Sequence, residues 1–167
     1  FFEPHRPFDH GGAEPDDEKG VTVPGYLPDC PEAREEFAAI QGAIRKMDAA
    51  VGRIFEAVAA LPDADNTIVI FTADHGIAFP RAKCSLYDAG IGVAFMMRWP
   101  AMGVTGGRAV RRLTSHVDVA PTLLDAAGLP HHDNFHGYSL MPVLKGRGKW
   151  KRQRVFAGNR PGVAFTL

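Results

Sequence analysis

One apolar segment of the chain leads directly into a polar triplet: Thr67-Ile68-Val69-Ile70-Phe71-Thr72-Ala73 is followed by Asp74-His75-Gly76. Most residues of the segment are β-branched, and it has no internal Gly or Pro, so the pattern predicts a fully buried β-strand. Open α/β sheets bind ligands at the carboxyl ends of their strands. The carboxylate of Asp74 and the imidazole of His75 are therefore predicted to lie at a ligand site, where they offer an oxygen and a nitrogen to a divalent cation.

A second polar segment begins nine residues after Asp74 and reads Lys83-Cys84-Ser85-Leu86-Tyr87-Asp88-Ala89-Gly90. Its lysine is predicted to reach the negative charge of an anion that the cation holds. A cation and an ammonium group acting on one anion predict half of a site for the hydrolysis of an anionic ester.

The residues before the strand predict an amphipathic helix over 32–61. Pro31 suits the start of this helix and Pro62 its end. Apolar side chains recur there every three or four residues, at Phe37, Ile40, Ile44, Met47, Val51, Ile54, Phe55 and Val58. A helix that passes into a strand after a short turn is typical of parallel sheets.

The remaining sequence predicts smaller elements. Residues 1–31 are rich in Pro and Gly and predict a loop. Strands are predicted at 92–99, 109–114 and 155–157, and a helix at 118–127, which ends before Gly128.

Composition narrows the function classes. The chain has 167 residues, of which 46% are hydrophobic, so it is long enough to bury a core of about one domain. Its 19 basic and 19 acidic residues cancel, which argues against nucleic-acid and membrane partners. The two cysteines, Cys30 and Cys84, leave the redox compartment, and with it the localisation, undetermined.

Several of these segments resemble the sulfatase branch of the alkaline-phosphatase superfamily. Asp74-His75-Gly76 resembles its second metal-ligand pair, and residues 83–90 resemble its Lys-x-Ser/Thr-x-Tyr/Trp-Asp/Glu-x-Gly segment. Pro4-His5-Arg6-Pro7 is similar to the segment that carries the family's sulfate-facing histidine. Residues 116–125 resemble its Asp-x-x-Pro-Thr helix, and residues 137–144 its Gly-x-Ser-Leu-x-Pro-Leu-Leu element. A further detail, Phe79-Pro80, is similar to sulfamidase-like members.

The resemblance implies an alkaline-phosphatase-like α/β/α sandwich with a mostly parallel central sheet. Residues 1–167 would be the later half of one catalytic domain, with its N-terminal part missing and no separate second domain. The implied activity is metal-dependent hydrolysis of a sulfate ester or sulfamate, and the implied partner is a sulfated small molecule or carbohydrate.

The resemblance also implies a role for each site residue. Asp74 and His75 would be ligands of a divalent metal, Ca²⁺ in the first place, with Mg²⁺ or Mn²⁺ as alternatives. Lys83 would bind the substrate and neutralise charge on the sulfate or leaving-group oxygens. His5 would contact the sulfate and donate a proton to the departing oxygen. Arg6 and His10 lie close to His5 in sequence and could touch substrate.

The family's nucleophile is a formylglycine made from Cys or Ser in a Cys/Ser-x-Pro-x-Arg motif, and we expect it in a segment before residue 1. In Cys30-Pro31-Glu32-Ala33-Arg34 the proline stands one position too early. Asp16-Asp17 imitates the family's first metal-binding pair, but no strand precedes it, and we expect it to be solvated. The chain alone is therefore expected to be inactive.

Alternatives remain open. A phosphate or phosphonate ester hydrolase of the same superfamily would share Asp74, His75 and the fold, and a non-catalytic scaffold fragment would keep the fold alone. Asp74 could also merely cap a turn, and Lys83 could be a surface lysine. Asp118 is interpreted as structural. The group His131, His132, Asp133 and His136 is interpreted as a solvated loop. The basic run is interpreted as a solvated connector before the strand at 155–157 and contains Lys145, Arg147, Lys149, Lys151, Arg152 and Arg154.

Overall fold

The structure, a computed structural model, describes residues 4–146, 150, 152–160 and 163–166. The chain divides into two compact units. The first contains the residues up to Ala64 together with Ala78–Arg81, and the second contains Asp65–Ile77 and the residues from Ala82 onward. The assignment of residues 1–167 to one partial catalytic domain stays a prediction.

The first unit is built on one long helix, α1, which spans Pro31–Ala59. It begins after Cys30, whose backbone is extended, and Pro31 occupies its first turn. A backbone hydrogen bond at the helix start, and then the side chain of Cys30, hold the pKa of the Glu32 carboxyl below its ordinary value. The helix predicted over 32–61 is therefore confirmed, and it ends two residues earlier than predicted.

The loop before α1 is held tightly against the helix. A Cβ atom at Gly42 would lie 1.7 Å from the carbonyl oxygen of Glu14, so only glycine allows this approach. The Gln41 amide donates a hydrogen bond to the Asp16 carbonyl oxygen (2.6 Å), and the Asp16 carboxylate pairs with Arg45 at 2.7 Å. The prediction that Asp16 is solvated is therefore wrong, because the basic face of α1 neutralises it. Only 15% of its side chain is exposed.

The second unit contains strand β1, Val69–Thr72, and strand β2, Phe95–Arg98. They pair antiparallel, with Val69 opposite Arg98 and Thr72 opposite Phe95. A four-residue helix, α2, spans Asp88–Ile91 and precedes β2. The predicted strands at 67–73 and 92–99 are thus present in shortened form.

The surroundings of β1 differ from the prediction. The strand was predicted to be fully buried, but its residues are only partly buried and Thr72 is exposed. The reason is that β1 pairs only with β2 in the described part of the chain, whereas full burial requires neighbours on both edges and both faces. The described strands also pair antiparallel, so they do not reproduce the mostly parallel sheet.

The later part of the second unit contains two short helices and a hairpin. Helix α3 spans Val119–Ala126 after a 3-10 turn at His116–Asp118, which confirms the helix predicted at 118–127. Helix α4 spans Met141–Leu144. Strands β3, Ala157–Arg160, and β4, Val163–Thr166, pair antiparallel.

Two strand predictions in this region need correction. Residues 109–114 form a loop and not an edge strand, because none of the described strands hydrogen-bonds to them. The strand predicted at 155–157 begins only at its last residue, Ala157.

The carboxylate of Asp118 is the main polar anchor of this region and is fully buried. It accepts hydrogen bonds from the backbone N–H groups of Ser115 (2.9 Å) and Tyr138 (2.8 Å) and forms an ion pair with Arg152. Three segments that are distant in sequence therefore meet at one side chain. The interpretation of Asp118 as a structural residue is confirmed.

Thr122, one helical turn after Asp118, adds two more buried hydrogen bonds to this region. Its buried hydroxyl donates to the Asp118 carbonyl oxygen (2.5 Å) and accepts a hydrogen bond from the backbone N–H of Leu140 (2.8 Å). A Cβ atom at Gly137 would lie 1.8 Å from the Val117 carbonyl oxygen, so the chain can pass here only with glycine.

The basic residues near the end of the chain are only partly described. Arg147, Lys149 and Lys151 lie outside the described residues. Arg152 is 92% buried against Asp118 and is not part of a solvated connector, because it neutralises that carboxylate. Among the described residues, every helix is too short or too polar to span a membrane.

Substituting Asp118 with alanine tests this anchor. We expect Asp118→Ala to lower the free energy of unfolding by about 3–5 kcal/mol, because it leaves the Arg152 charge buried without its partner. Urea denaturation measures the change. Asp133→Ala, at an exposed carboxylate, is the control and should change stability by less than about 0.5 kcal/mol. Equal effects of the two substitutions would contradict the role given to Asp118.

Candidate active site

Asp74 and His75 follow the end of β1, and one potential ligand atom of each side chain lies close to the other. The Asp74 side chain is 87% exposed, and its Oδ2 lies 3.6 Å from Nε2 of His75. Oxygen and nitrogen ligands bind divalent cations at about 2.0–2.6 Å, so one cation can contact both atoms at this separation. The two side chains therefore fit a shared metal ion.

The ring of His75 is oriented by its own backbone neighbour. Its Nδ1 atom lies 2.8 Å from the carbonyl oxygen of Gly76. A carbonyl oxygen only accepts hydrogen bonds, so Nδ1 carries the proton and donates it to this bond. The neutral ring then has its lone pair on Nε2, the atom next to Asp74, as a metal-binding histidine requires.

Two glycines close the loop that follows. The backbone N–H of Gly76 donates to the carbonyl oxygen of Gly90 at 2.9 Å. A Cβ atom at Gly76 would lie 1.7 Å from the Ala89 carbonyl oxygen, and one at Gly90 would lie 2.3 Å from that of Ala82. Larger residues cannot occupy either position without moving the backbone.

The main chain of Lys83 is hydrogen-bonded to the loop that follows His75. Its backbone N–H donates to the Ile77 carbonyl oxygen at 2.9 Å, two residues after His75. The turn around it is tight, since the backbone of Cys84 is left-handed (φ 62°) and the N–H of Ser85 bonds back to the Ala82 carbonyl oxygen. The structure thus joins the two polar segments that the sequence singled out. The role of the Lys83 amine stays a prediction.

His5 and Arg6 belong to the first unit. His5 is exposed, and its Nδ1 atom lies 2.7 Å from the carbonyl oxygen of Arg6. Arg6 forms an ion pair with Glu36 and hydrogen-bonds to the backbone of Ala78, so its side chain is engaged within that unit. The catalytic role of His5 stays a prediction.

The histidine-rich segment at residues 131–136 contacts a carboxylate of α3 and lies outside the Asp74–His75 pair. His131 Nε2 lies 2.7 Å from an oxygen of Asp125 on α3. The pKa of the Asp125 carboxyl is lowered, first by a hydrogen bond from the Ser139 side chain and then by His131, whereas partial burial opposes the shift. A lowered pKa means that the ionised carboxylate stabilises the fold at neutral pH and that this stabilisation is lost as the pH falls through the folded-state pKa.

One contact of the site could not have been found from the sequence. The Thr72 hydroxyl, at the last position of β1, lies 2.9 Å from Nε2 of His116. This hydrogen bond joins the strand that leads to Asp74 with the turn that begins before α3. The two residues are 44 positions apart, and no sequence pattern connects them.

Within the described residues, no group of three or more His, Cys, Asp or Glu side chains is placed to hold a metal ion. Asp74 and His75 offer two potential ligand atoms, fewer than the complete coordination shell that a cation requires. The prediction that they form half of a metal site stays a prediction.

Gly76 offers a direct test of the closed loop. We expect Gly76→Ala to lower the free energy of unfolding by about 1–3 kcal/mol or more, because its Cβ atom meets backbone that cannot rotate away. Urea denaturation measures this change, and hydrogen exchange at residue 76 reports the loss of its bond to Gly90. Gly25→Ala is the control, since no atom lies within 4 Å of a Cβ there. A Gly76→Ala protein as stable as the control would refute the close approach.

The chain is similar to known proteins over most of its length. The family model described as sulfatase matches residues 3–129. Human N-sulphoglucosamine sulphohydrolase is 30% identical over 139 residues, which are 78% of this chain and 28% of that protein. Human arylsulfatase K is 40% identical over 100 residues, 58% of this chain and 18% of that protein. The chain thus spans less than a third of either relative.

Solved structures give the same result for the fold. A phosphonate monoester hydrolase from Silicibacter pomeroyi superposes with a TM-score of 0.67 at 27% identity. The superposition covers 81% of this chain and 28% of that one. Since the family model matches more than half of its residues, the chain belongs to the sulfatase family.

Proposed function

We propose that this chain is part of a metal-dependent sulfuric ester hydrolase that cleaves a sulfate ester or a sulfamate. The observation that carries the proposal is the pair Asp74 and His75 at the end of β1, with ligand atoms 3.6 Å apart and the Lys83 backbone bonded to the same loop. Membership of the sulfatase family supports the reaction type.

Oδ2 of Asp74 and Nε2 of His75 would hold the metal. Ca²⁺ is the first candidate because carboxylate oxygen suits it, and the imidazole nitrogen keeps Mn²⁺ and Mg²⁺ as alternatives. When bound, the cation would withdraw electron density from the sulfate oxygens.

Two basic side chains, those of Lys83 and His5, are proposed to act on the substrate. Lys83 would neutralise the negative charge that develops on the sulfate or leaving-group oxygens. His5 would donate a proton to the departing oxygen from Nε2, because Nδ1 is used in its bond to the Arg6 carbonyl oxygen. The formylglycine nucleophile would come from a segment outside these 167 residues, since they contain no Cys/Ser-x-Pro-x-Arg motif. The 167 residues alone would then be inactive.

The complete fold is proposed to be the alkaline-phosphatase-like α/β/α sandwich, in which further strands would pair with β1. A sulfated carbohydrate is the proposed substrate, by analogy with the name of the sulphoglucosamine sulphohydrolase. The likeness to a phosphonate monoester hydrolase favours a second candidate, hydrolysis of a phosphonate or phosphate ester at the same site.

Metal binding can be tested on the purified chain. We expect Ca²⁺, Mg²⁺ or Mn²⁺ to raise the Tm, because a cation bound only by the native state adds about 1.4 kcal/mol of stability at ten times its Kd. Asp74→Asn should abolish the effect, whereas Asp125→Asn, at a carboxylate outside the site, should preserve it. No increase with any of the three cations would favour a non-catalytic scaffold. An equal increase in Asp74→Asn would place the metal elsewhere.

The reaction type needs the protein that carries this segment together with its nucleophile. There, Lys83→Ala should lower kcat for an aryl sulfate by about 10²–10³-fold, the usual effect of removing one group that stabilises developing charge. Lys19→Ala, at an exposed lysine of the first unit, should leave kcat unchanged. A higher kcat/KM for an aryl phosphonate than for the aryl sulfate would select the second candidate.

A further inference from the structure

The side chain of Arg6 joins three segments of the first unit. Its Nε donates to the carbonyl oxygen of Ala78 at 3.0 Å, and its Nη2 lies 2.5 Å from a carboxylate oxygen of Glu36 on α1. One hydrogen bond and one ion pair thus tie the guanidinium to two other segments of the first unit.

Aromatic rings hold the same group from the side. The guanidinium carbon of Arg6 lies 4.5 Å from the centre of the Phe8 ring and 5.2 Å from that of Phe79, within the range of cation–π attraction. Both rings are buried, and Phe79 also stacks on Phe37 of α1, with ring centres 4.3 Å apart. Arg6 is therefore anchored on a packed aromatic cluster, although its own side chain is 44% exposed.

The main chain of Arg6 acts on the neighbouring histidine. The carbonyl oxygen of Arg6 lies 2.7 Å from Nδ1 of His5, and because it can only accept, the proton of this bond belongs to Nδ1. The side chain of Arg6 thus fixes the backbone, and its carbonyl group fixes the imidazole ring.

We propose that Arg6 is a positioning residue, which holds His5 in the Nδ1–H tautomer and so makes Nε2 the atom that exchanges a proton with substrate. This rests on the role proposed above for His5. When the imidazolium donates, its Nε2–H bond breaks, the electron pair stays on Nε2, and a new O–H bond forms on the leaving group. The neutral ring that results is the Nδ1–H tautomer, which the Arg6 carbonyl oxygen stabilises. Arg6 is not proposed to contact the substrate.

The tautomer can be read directly in the purified chain labelled with ¹⁵N-histidine. Long-range ¹H–¹⁵N spectra of the neutral ring distinguish Nδ1–H from Nε2–H. We expect His5 to be the Nδ1–H tautomer in the wild type and a mixture of both tautomers in Arg6→Met. Arg34→Met is the matched control, since Arg34 pairs with Asp29 at 2.6 Å elsewhere in the unit and should leave the His5 spectrum unchanged.

His75 lies in the second unit and serves as an internal reference for pH and labelling, because its own Nδ1–H tautomer should persist in both variants. The helical circular dichroism signal of α1 shows whether the first unit stays folded. A wild-type His5 that is not the Nδ1–H tautomer, or a folded Arg6→Met that retains it fully, would overturn the proposal. If Arg6→Met unfolds, Glu36→Gln decides: a partial shift of the His5 tautomer supports the proposal, and an unchanged spectrum overturns it. A failure to bind metal would refute the proposed function and leave these spectra unaltered.

Discussion

The close approach of the backbone at Gly76 and Gly90 is the constraint on which the site depends. It places the start of the loop after β1 directly against α2, with one hydrogen bond of 2.9 Å and no space for a side chain. Because the loop is closed there, Asp74 and His75 keep a defined position after a strand that is itself only four residues long. The Lys83 backbone is fixed by the same loop.

Two aspartates show how environment separates structural from chemical roles. Asp118 is fully buried, and its oxygens are used by two backbone N–H groups and Arg152. Asp74 is 87% exposed, and its Oδ2 lies 3.6 Å from Nε2 of His75, whose Nδ1 is used in the bond to the Gly76 carbonyl oxygen. A buried, paired carboxylate holds segments together, whereas an exposed one with a second ligand atom at 3.6 Å can take up a cation.

The sequence predicted the elements that depend on local pattern. The 3.6-residue period predicted α1, the stop signal at Gly128 helped to predict α3, and the β-branched run predicted β1. It could not predict contacts between distant residues, such as the Asp16–Arg45 pair or the bond from Thr72 to His116, because no spacing rule connects them. The sequence predicted more burial for β1 than the structure shows. The apolar composition of a strand indicates that it can be buried, but it does not show how many neighbouring strands and helices cover it. Of the site, Asp74, His75 and Lys83 were recognised by motif, and the closure by Gly76 and Gly90 came from the structure.

The central claim is that Asp74 and His75 bind one cation whose anion faces Lys83. The most direct measurement is a crystal structure of the chain with Mn²⁺ and sulfate, in which anomalous scattering locates the metal. We expect a peak bonded to both Oδ2 of Asp74 and Nε2 of His75, with the Lys83 amine on the side of the bound sulfate. A peak at another site, such as the segment around His131, or a Lys83 amine directed away from the sulfate would contradict it.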